Sequence, residues 1–480
     1  MKIFLESLGC CRNQIDSEVM LGRLACANHE ICYEPSEAEV IIVNTCGFIA
    51  SASAEAIDTI LELAQYKKDG LCRRLVVTGC LPERFRNDTL TEALPEVDAF
   101  LGTGACGDIV KAVEHKCSLD SRLVLLPEPS SREFQGYPLP RILTLNHSAY
   151  IKISEGCNRK CTYCIIPKLR GKQRSRSIED IVSETNHLLQ HGVKELIFVG
   201  ENTTDYGIDT ILSANLNKKE FKSPVNLANL LEQISICADK YADINRPIWL
   251  RLLYTHPSSI TNEVVERISY LDNFCTYFDV PIQHASPKIL KLMGRDYDLD
   301  HLYRLFESIK NIAPDAILRT TLITGFPGET DKDFKTMLKF IEDIKFDHLG
   351  VFTYSDSEDL LSHRLKGHVL KEVAEERLDI IMATQSQISE KINKKYMDQT
   401  VKVLIEENPD DGIYLGRTGF QAPEVDGITF IYGSALEIGT FADVKITETY
   451  EYDLAGEDLN YDPAVQLGST NRAKFSSTSK

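Results

Sequence analysis

Over the first 138 residues, short apolar runs rich in β-branched side chains alternate with segments whose apolar residues recur every three or four positions. That rhythm belongs to parallel strands joined by helical crossovers. Strands are expected at 2–8, 40–44, 75–78 and 97–101, and amphipathic helices at 16–24 and 52–63. Pro, Ser and charge then crowd residues 127–140, as in a linker. The rhythm resumes from 141 to 385, with strands expected at 149–154, 195–199, 248–254, 277–281, 317–323 and 348–352. Six βα units predict an open or complete parallel barrel, closed by a long charged helix over 370–396. Beyond it, strands expected at 401–406, 413–416, 428–431 and 441–447 lie between Gly, Pro and Asp turns and make a small all-β domain. The fold class is therefore α/β: a parallel α/β domain at 1–138, a (βα) barrel at 139–390, a β domain at 396–456 and a polar, disordered tail at 457–480.

Composition narrows the setting. A chain of 480 residues exceeds one ordinary core, and 43% hydrophobic with 26% charged residues is a globular balance with no long uncharged apolar run. No membrane span is expected. Leu8-Gly9-Cys10 resembles a lipoprotein cleavage site, but Glu6 interrupts an apolar stretch already too short for export, so the cytoplasm is the expected compartment. Its reducing conditions make the 14 cysteines thiols rather than a disulfide framework. A net charge of −18 argues against nonspecific adhesion to nucleic acid and suits a basic protein partner.

Cysteine spacing supplies the chemistry. Cys157, Cys161 and Cys164 form a C-x3-C-x2-C run directly after the expected strand AYIKISEG. A [4Fe-4S] cube needs four ligands, so three thiolates leave one iron open, the arrangement that binds S-adenosylmethionine (SAM) for reductive cleavage. Half of a zinc site is the competing reading, and no nearby Cys or His completes it. Cys10, Cys46 and Cys80 each end a separate expected strand, in the settings SLGC, NTCG and TGC. In an open parallel sheet such ends line one crevice, so the three could hold a second cluster, with Gly9, Gly47 and Gly79 admitting its bulk; three independently buried cysteines remain the alternative. Cys11 is ambiguous beside Cys10, and the other seven cysteines read as ordinary buried or surface thiols.

Other candidates follow strands at the same barrel end. Gly325, in the turn 324–329, and the polar group Glu201, Asn202, Thr203 and Thr204 are expected around the nucleotide, methionine or ribose, unless they only make turns. Tyr163 is either a cofactor contact or a core aromatic; His256 and His284 read as structural histidines. Lys168, Arg170, Lys172, Arg174 and Arg176 form a basic run that either contacts SAM, substrate or an electron donor, or is a solvated loop.

Taken together these residues resemble the methylthiotransferases of the radical-SAM superfamily over about residues 1–450. SLGCCRNQIDSEVMLGRL, VNTCGFIASASAEAIDTI and VTGCLPERF are similar to that family's N-terminal domain, and AYIKISEGCNRKCTYCIIPKLRGKQRSRSIEDIV to its radical-SAM segment. The resemblance implies two [4Fe-4S] clusters, SAM, and Tyr163 at the cofactor; a reductase or flavodoxin-type protein is the expected electron donor. It also implies that Cys10, Cys46 and Cys80 serve sulfur delivery. One branch of the family modifies the β-carbon of an aspartate in small-subunit ribosomal protein twelve, and the other an adenosine in tRNA. NQIDSEVMLG, TCGFIASA, Thr203-Thr204, YFDVPIQHAS, Arg417-Thr418 and the segment 422–427 are closer to the protein-modifying branch, whereas Gly200-Glu201-Asn202 is closer to the tRNA branch, and Cys11 stands where proline is usual. The β domain resembles a TRAM domain. Residues 397–458 hold 14 acidic and 3 basic side chains, a charge that repels RNA and attracts a basic ribosomal protein or the small subunit presenting it.

Overall fold

The computed structural model describes residues 1–86, 90–115, 122–130, 141–209, 226–243 and 246–459. Most of the expected linker and nearly all of the expected tail lie outside these residues. The chain divides into two compact units, Met1–Ile388 and Ser389–Lys480.

In the first unit, β1 (Lys2–Ser7), β2 (Glu30–Ile31), β3 (Val40–Thr45), β4 (Arg74–Gly79), β5 (Ala99–Gly102) and β6 (Leu123–Leu125) form one parallel sheet in the order β2-β1-β3-β4-β5-β6. Period-two alternation sends Ile41, Val43, Leu75, Val77 and Phe100 into a core with the helix Ala50–Leu63, while Val40, Ile42, Val76 and Leu101 face the helices Cys11–Cys26 and Ile109–Glu114. Burial on both faces explains the unbroken apolar reading of β3 and β4. The short edge strands β2 and β6 escape sequence reading because neither carries a buried run.

The second sheet system of this unit begins at β7 (Ser148–Lys152). A short ribbon, β8 (Ser154–Glu155) against β9 (Arg174–Ser175), frames the loop between them. The strands β10 (Glu195–Val199), β11 (Trp249–Leu252), β12 (Tyr277–Asp279), β13 (Ile317–Thr324) and β14 (His348–Thr353) follow, all parallel to β7. They form two three-stranded sheets, β11-β10-β7 and β12-β13-β14, joined by the bridge between Leu250 and Phe274. Among the described residues β7 and β14 do not pair, so of the two forms expected the barrel is the open one. Its core is a single apolar cluster including Ile151, Phe198, Leu250, Phe278, Leu318 and Phe340.

The helix Lys371–Asn393 continues into a 3-10 turn, Lys394–Tyr396. In the second unit, β15 (Thr400–Asp410), β16 (Ile413–Thr418), β17 (Thr429–Tyr432), β18 (Phe441–Thr449) and β19 (Leu454–Asp458) close a barrel in the order β15-β16-β17-β19-β18. β19 corrects the reading of the tail, because Glu457 and Asp458 complete a strand that pairs with both β17 and β18. Arg417 is 2% exposed and donates to both oxygens of Glu406, while Gln421 Oε1 accepts from Thr418 and Thr429. Arg417, Thr418, Gln421 and Ala422 of the family-like segment therefore build the barrel from inside, while Glu424 and Val425 are exposed; the charge is outside, with Glu407, Asp410, Asp411 and Glu437 exposed as well.

Candidate active site

β1, β3 and β4 are neighbours in the first sheet, so Cys10, Cys46 and Cys80, which follow their C-terminal ends, come together at the point where strand order reverses. The glycines beside the thiols also pack the loops. A Cβ on Gly9, at φ +92°, would lie 2.7 Å from Cys46 Cβ, and one on Gly47 would lie 3.0 Å from the Cys80 backbone. Glycine thus lets the thiol loops nest against one another, before any cofactor is considered. Gly9→Ala is expected to cost about 1–3 kcal/mol in backbone strain alone, to force the loops apart, and to lower both the melting temperature of the iron-free protein and its iron uptake; unchanged values for both would contradict this packing.

Asn13, buried in the first turn of the helix Cys11–Cys26, clamps the loops by donating to Leu8 O and Thr45 O, each at 2.9 Å. Its Oδ1 accepts from Arg170 Nη2 at 2.6 Å, and that nitrogen also stands 3.8 Å from Cys80 Sγ. Burial pushes the Cys10 thiol up, but Arg12, Arg170 and the backbone N–H groups of the helix start overcome it and hold this thiol below its ordinary value. Burial dominates at the other two, raising Cys46 and pushing Cys80 up to about 12. Cys11 belongs elsewhere: its sulfur lies 3.4 Å from Tyr254 Oη, at a side chain 4% exposed.

The second triplet lies on the loop between β8 and β9. Cys157 N donates to Gly171 O, and Thr162 is tied to Leu292 O and Met293 O. Gly294, at φ +74°, lets that segment close on Lys160, since a Cβ there would lie 2.7 Å from its carbonyl. Burial raises Cys157 to about 11 and Cys164 to about 12, and the neighbouring thiols reinforce both shifts. Tyr163 accepts from Arg295 Nη2 at 2.6 Å and packs edge-on to Phe326 of the turn after β13.

Between the triplets runs a buried ionic network that sequence reading did not assemble. Arg170, 2% exposed, pairs with Asp16 at 2.9 Å and Glu155 at 2.8 Å, and Lys152 bridges the same two carboxylates at 2.7 and 2.6 Å. Glu201 accepts from Gly156 N at 2.9 Å through Oε2, while its buried Oε1 has no hydrogen-bond partner and lies 3.8 Å from both Arg12 Nε and Arg170 Nε. Burial and the Glu155 charge hold the Glu201 carboxyl above the usual range. The basic run is thus neither a solvated loop nor a docking patch as a whole. Arg170 and Arg176 are consumed in buried ion pairs, and Lys168 and Lys172 are exposed.

Two residues expected at the cofactor also serve the fold. Thr203 is fully buried and donates to Leu253 O at 2.8 Å. Gly325, at φ +73°, gives its N–H to Glu329 and faces Ala374, whose Cβ would meet an added Cβ at 2.4 Å. His284 Nδ1 accepts from Ser286 N at 2.8 Å, as a structural histidine does. His256 Nδ1 accepts from Ser258, and burial with nearby Arg295 and Arg159 pushes the ring's pKa down to about 2. The segment after β14 was also missed: Leu360 packs on Cys80, Ile165 and Leu169, Asp359 pairs with Arg84 at 2.8 Å, and Ser362 N donates to Thr162 O. This strap touches both thiol-bearing regions, and its only sequence signal is a Ser/Asp-rich stretch.

Among the described residues no three His, Cys, Asp or Glu side chains close around one point as ligands of a single ion do. A cube binds each thiolate to a different iron and needs its ligands spread apart. Two three-thiol sets with an orphaned carboxylate oxygen between them fit two such clusters and a polar cofactor.

The radical SAM superfamily model matches residues 151–341, and the uncharacterized protein family UPF0004 and the TRAM domain match residues 2–102 and 399–458. The radical SAM methyltransferase TsrM from Kitasatospora setae shares the fold with a TM-score of 0.52 at 14% identity, over 86% of this chain and 79% of its own. Open barrel, thiol loop and superfamily match define the class: a radical-SAM enzyme. The ribosomal protein uS12 methylthiotransferase RimO of Desulfosudis oleivorans is 47% identical over 95% of this chain and 100% of its own, and that of Clostridioides difficile 45% identical over 96% and 99%. The chain belongs to the family of ribosomal protein uS12 methylthiotransferases.

Proposed function

We propose that this enzyme adds a methylthio group to the β-carbon of an aspartate in ribosomal protein uS12, at a site whose cluster ligands are Cys157, Cys161 and Cys164 in one set and Cys10, Cys46 and Cys80 in the other. The observation that carries this reading is the convergence of both triplets on one buried network, in a chain 45–47% identical along nearly its whole length to uS12 methylthiotransferases. When bound, the clusters and SAM supply a carbon-centred radical, a sulfur atom and a methyl group.

The protein's own residues hold and shield. Gly156 and Cys157 are pinned by Glu201 and Gly171, which fixes the second thiol loop. Asn13, with the nested glycines, fixes the first. Leu360 keeps water from Cys80, and Tyr163 with Phe326 forms an apolar wall beside Cys164. Glu201 and Tyr163 are the side chains assigned to the cofactor, while Thr203 and Gly325 act by shaping the backbone around it.

The acidic barrel suits a Lys/Arg-rich ribosomal protein, whether free or displayed on the small subunit, and disfavours direct docking of RNA. A flavodoxin-type protein is the proposed reductant. The proposed compartment is the cytoplasm, and no described helix is long and apolar enough to cross a membrane. Mass spectrometry of uS12 and of digested tRNA from cells lacking and then regaining this enzyme tests the assignment. A methylthio mass gain on the uS12 aspartate that depends on the enzyme is expected; a gain on tRNA adenosine with uS12 unmodified would replace the reading with the tRNA branch.

A further inference from the structure

The network between the thiol triplets contains three cations, and their donors are not equally committed. Lys152 is fully buried and held by Asp16 and Glu155 at 2.7 and 2.6 Å. Arg170 gives its terminal nitrogens to Asn13, Asp16 and Glu155. Arg12 is different. Its Nη1 donates to the neutral carbonyl of Gly200 at 3.1 Å, and its guanidinium lies 4.6 Å over the Tyr254 ring. Its nearest carboxylate oxygen stands 3.8 Å away, beyond hydrogen-bonding distance, and its Nε is buried with no partner. A guanidinium largely withdrawn from water, with its Nε buried and no bonded counter-charge, is costly unless something anionic arrives.

What arrives follows from where the group sits. Arg12 is two residues from Cys10; its Nε and that of Arg170 each stand 3.8 Å from the same Glu201 oxygen, and Arg170 Nη2 stands 3.8 Å from Cys80 Sγ. A cube held by these three thiolates would be anionic, and a sulfur anion bound to it would add charge in a region where Leu360 packs on Cys80 and the Tyr254 ring lies under Arg12. The carboxylates of the network cannot answer that charge and Arg170 is already engaged, whereas Arg12, with its Nε unpartnered, can.

We propose that Arg12 is an anion-binding residue that holds a small sulfur anion, hydrosulfide in its simplest form, at the cluster of Cys10, Cys46 and Cys80, beside the already committed Arg170. Arg170 answers to the thiolates and Arg12 to the incoming anion. The proposal rests on the sulfur-delivery reading above and adds the residue that selects the charge of the sulfur source. Neutral sulfur compounds gain nothing from this guanidinium.

The test uses full-length, anaerobically reconstituted enzyme with SAM present to occupy the other cluster and no reductant. Sodium hydrosulfide is titrated while visible circular dichroism of the cluster is followed, with iron per chain measured for each protein. Arg12 is 14% exposed, so substitution is compatible with folding. Arg12→Gln is expected to weaken hydrosulfide binding by about tenfold or more, the loss that accompanies a charged hydrogen bond, at unchanged iron content. Arg12→Lys is expected to recover most of that affinity, because it restores charge without the guanidinium's shape. Hydrosulfide binding by Arg12→Gln as tight as in the unmodified protein would overturn the proposal, and so would equal losses in Gln and Lys variants, which would make the role one of packing. Failure of the unmodified protein to show any hydrosulfide-dependent change would instead remove the underlying sulfur-delivery reading.

Discussion

Cys157→Ala is expected to abolish both 5′-deoxyadenosine formation and the methylthio product. The reason lies in how little else the substitution touches. The backbone at 157 is held by its own N–H to Gly171 O and by the Glu201 carboxylate on Gly156, so the loop keeps its course without the sulfur. The side chain accepts a single weak hydrogen bond, from Arg159 N at 3.4 Å. What is lost is one of three thiolates that must leave a single iron open; with two left, a cube is no longer anchored. Chromatography of SAM incubated with a strong reductant reads the first effect, and mass spectrometry of uS12 the second. Persistent deoxyadenosine from this variant would place the radical chemistry elsewhere.

Cys46→Ala is expected to separate the two activities, with SAM still cleaved while no sulfur reaches the substrate. Alanine keeps the Cβ against which Gly9 nests, so the packing of the three loops survives and only the sulfur is removed. The second triplet stands on a different loop, secured by Met293, Leu292 and Gly171 rather than by Cys46. Deoxyadenosine is therefore expected within a few-fold of the unmodified enzyme, and the methylthio product below detection. Normal product from Cys46→Ala would refute the role given to the first triplet. Loss of deoxyadenosine as well would show that the network through Arg170 and Glu201 ties the two sites into one unit.

Sequence reading succeeded where local chemistry is strong. The strands at the first sheet's centre are buried on both faces, and their β-branched runs stand out; the edge strands, two and three residues long, do not. The C-x3-C-x2-C run is compact enough to read from spacing, and its neighbours in space are mostly its neighbours in the chain. Gly9 and Gly79 were legible as glycines with a purpose, but their packing role was not, because what a Cβ would strike lies on or just after another strand. The fold contacts of Thr203 and Gly325 were hidden for the same reason. Their partners, Leu253 and Ala374, are 50 and 49 positions away.

The sequence alone determined which elements form and which atoms can ligate iron, since periodicity, glycine placement and thiol spacing are properties of short stretches of chain. Only the tertiary structure decided that β1, β3 and β4 are adjacent, that Arg170 reaches back 157 positions to Asn13, and that Glu201 stands between two sets of thiols with an oxygen unpaired. Ion pairs and strand order are set by which surfaces the chain buries together. Charges far apart in the chain carry no local signal of that choice until burial makes their pairing obligatory.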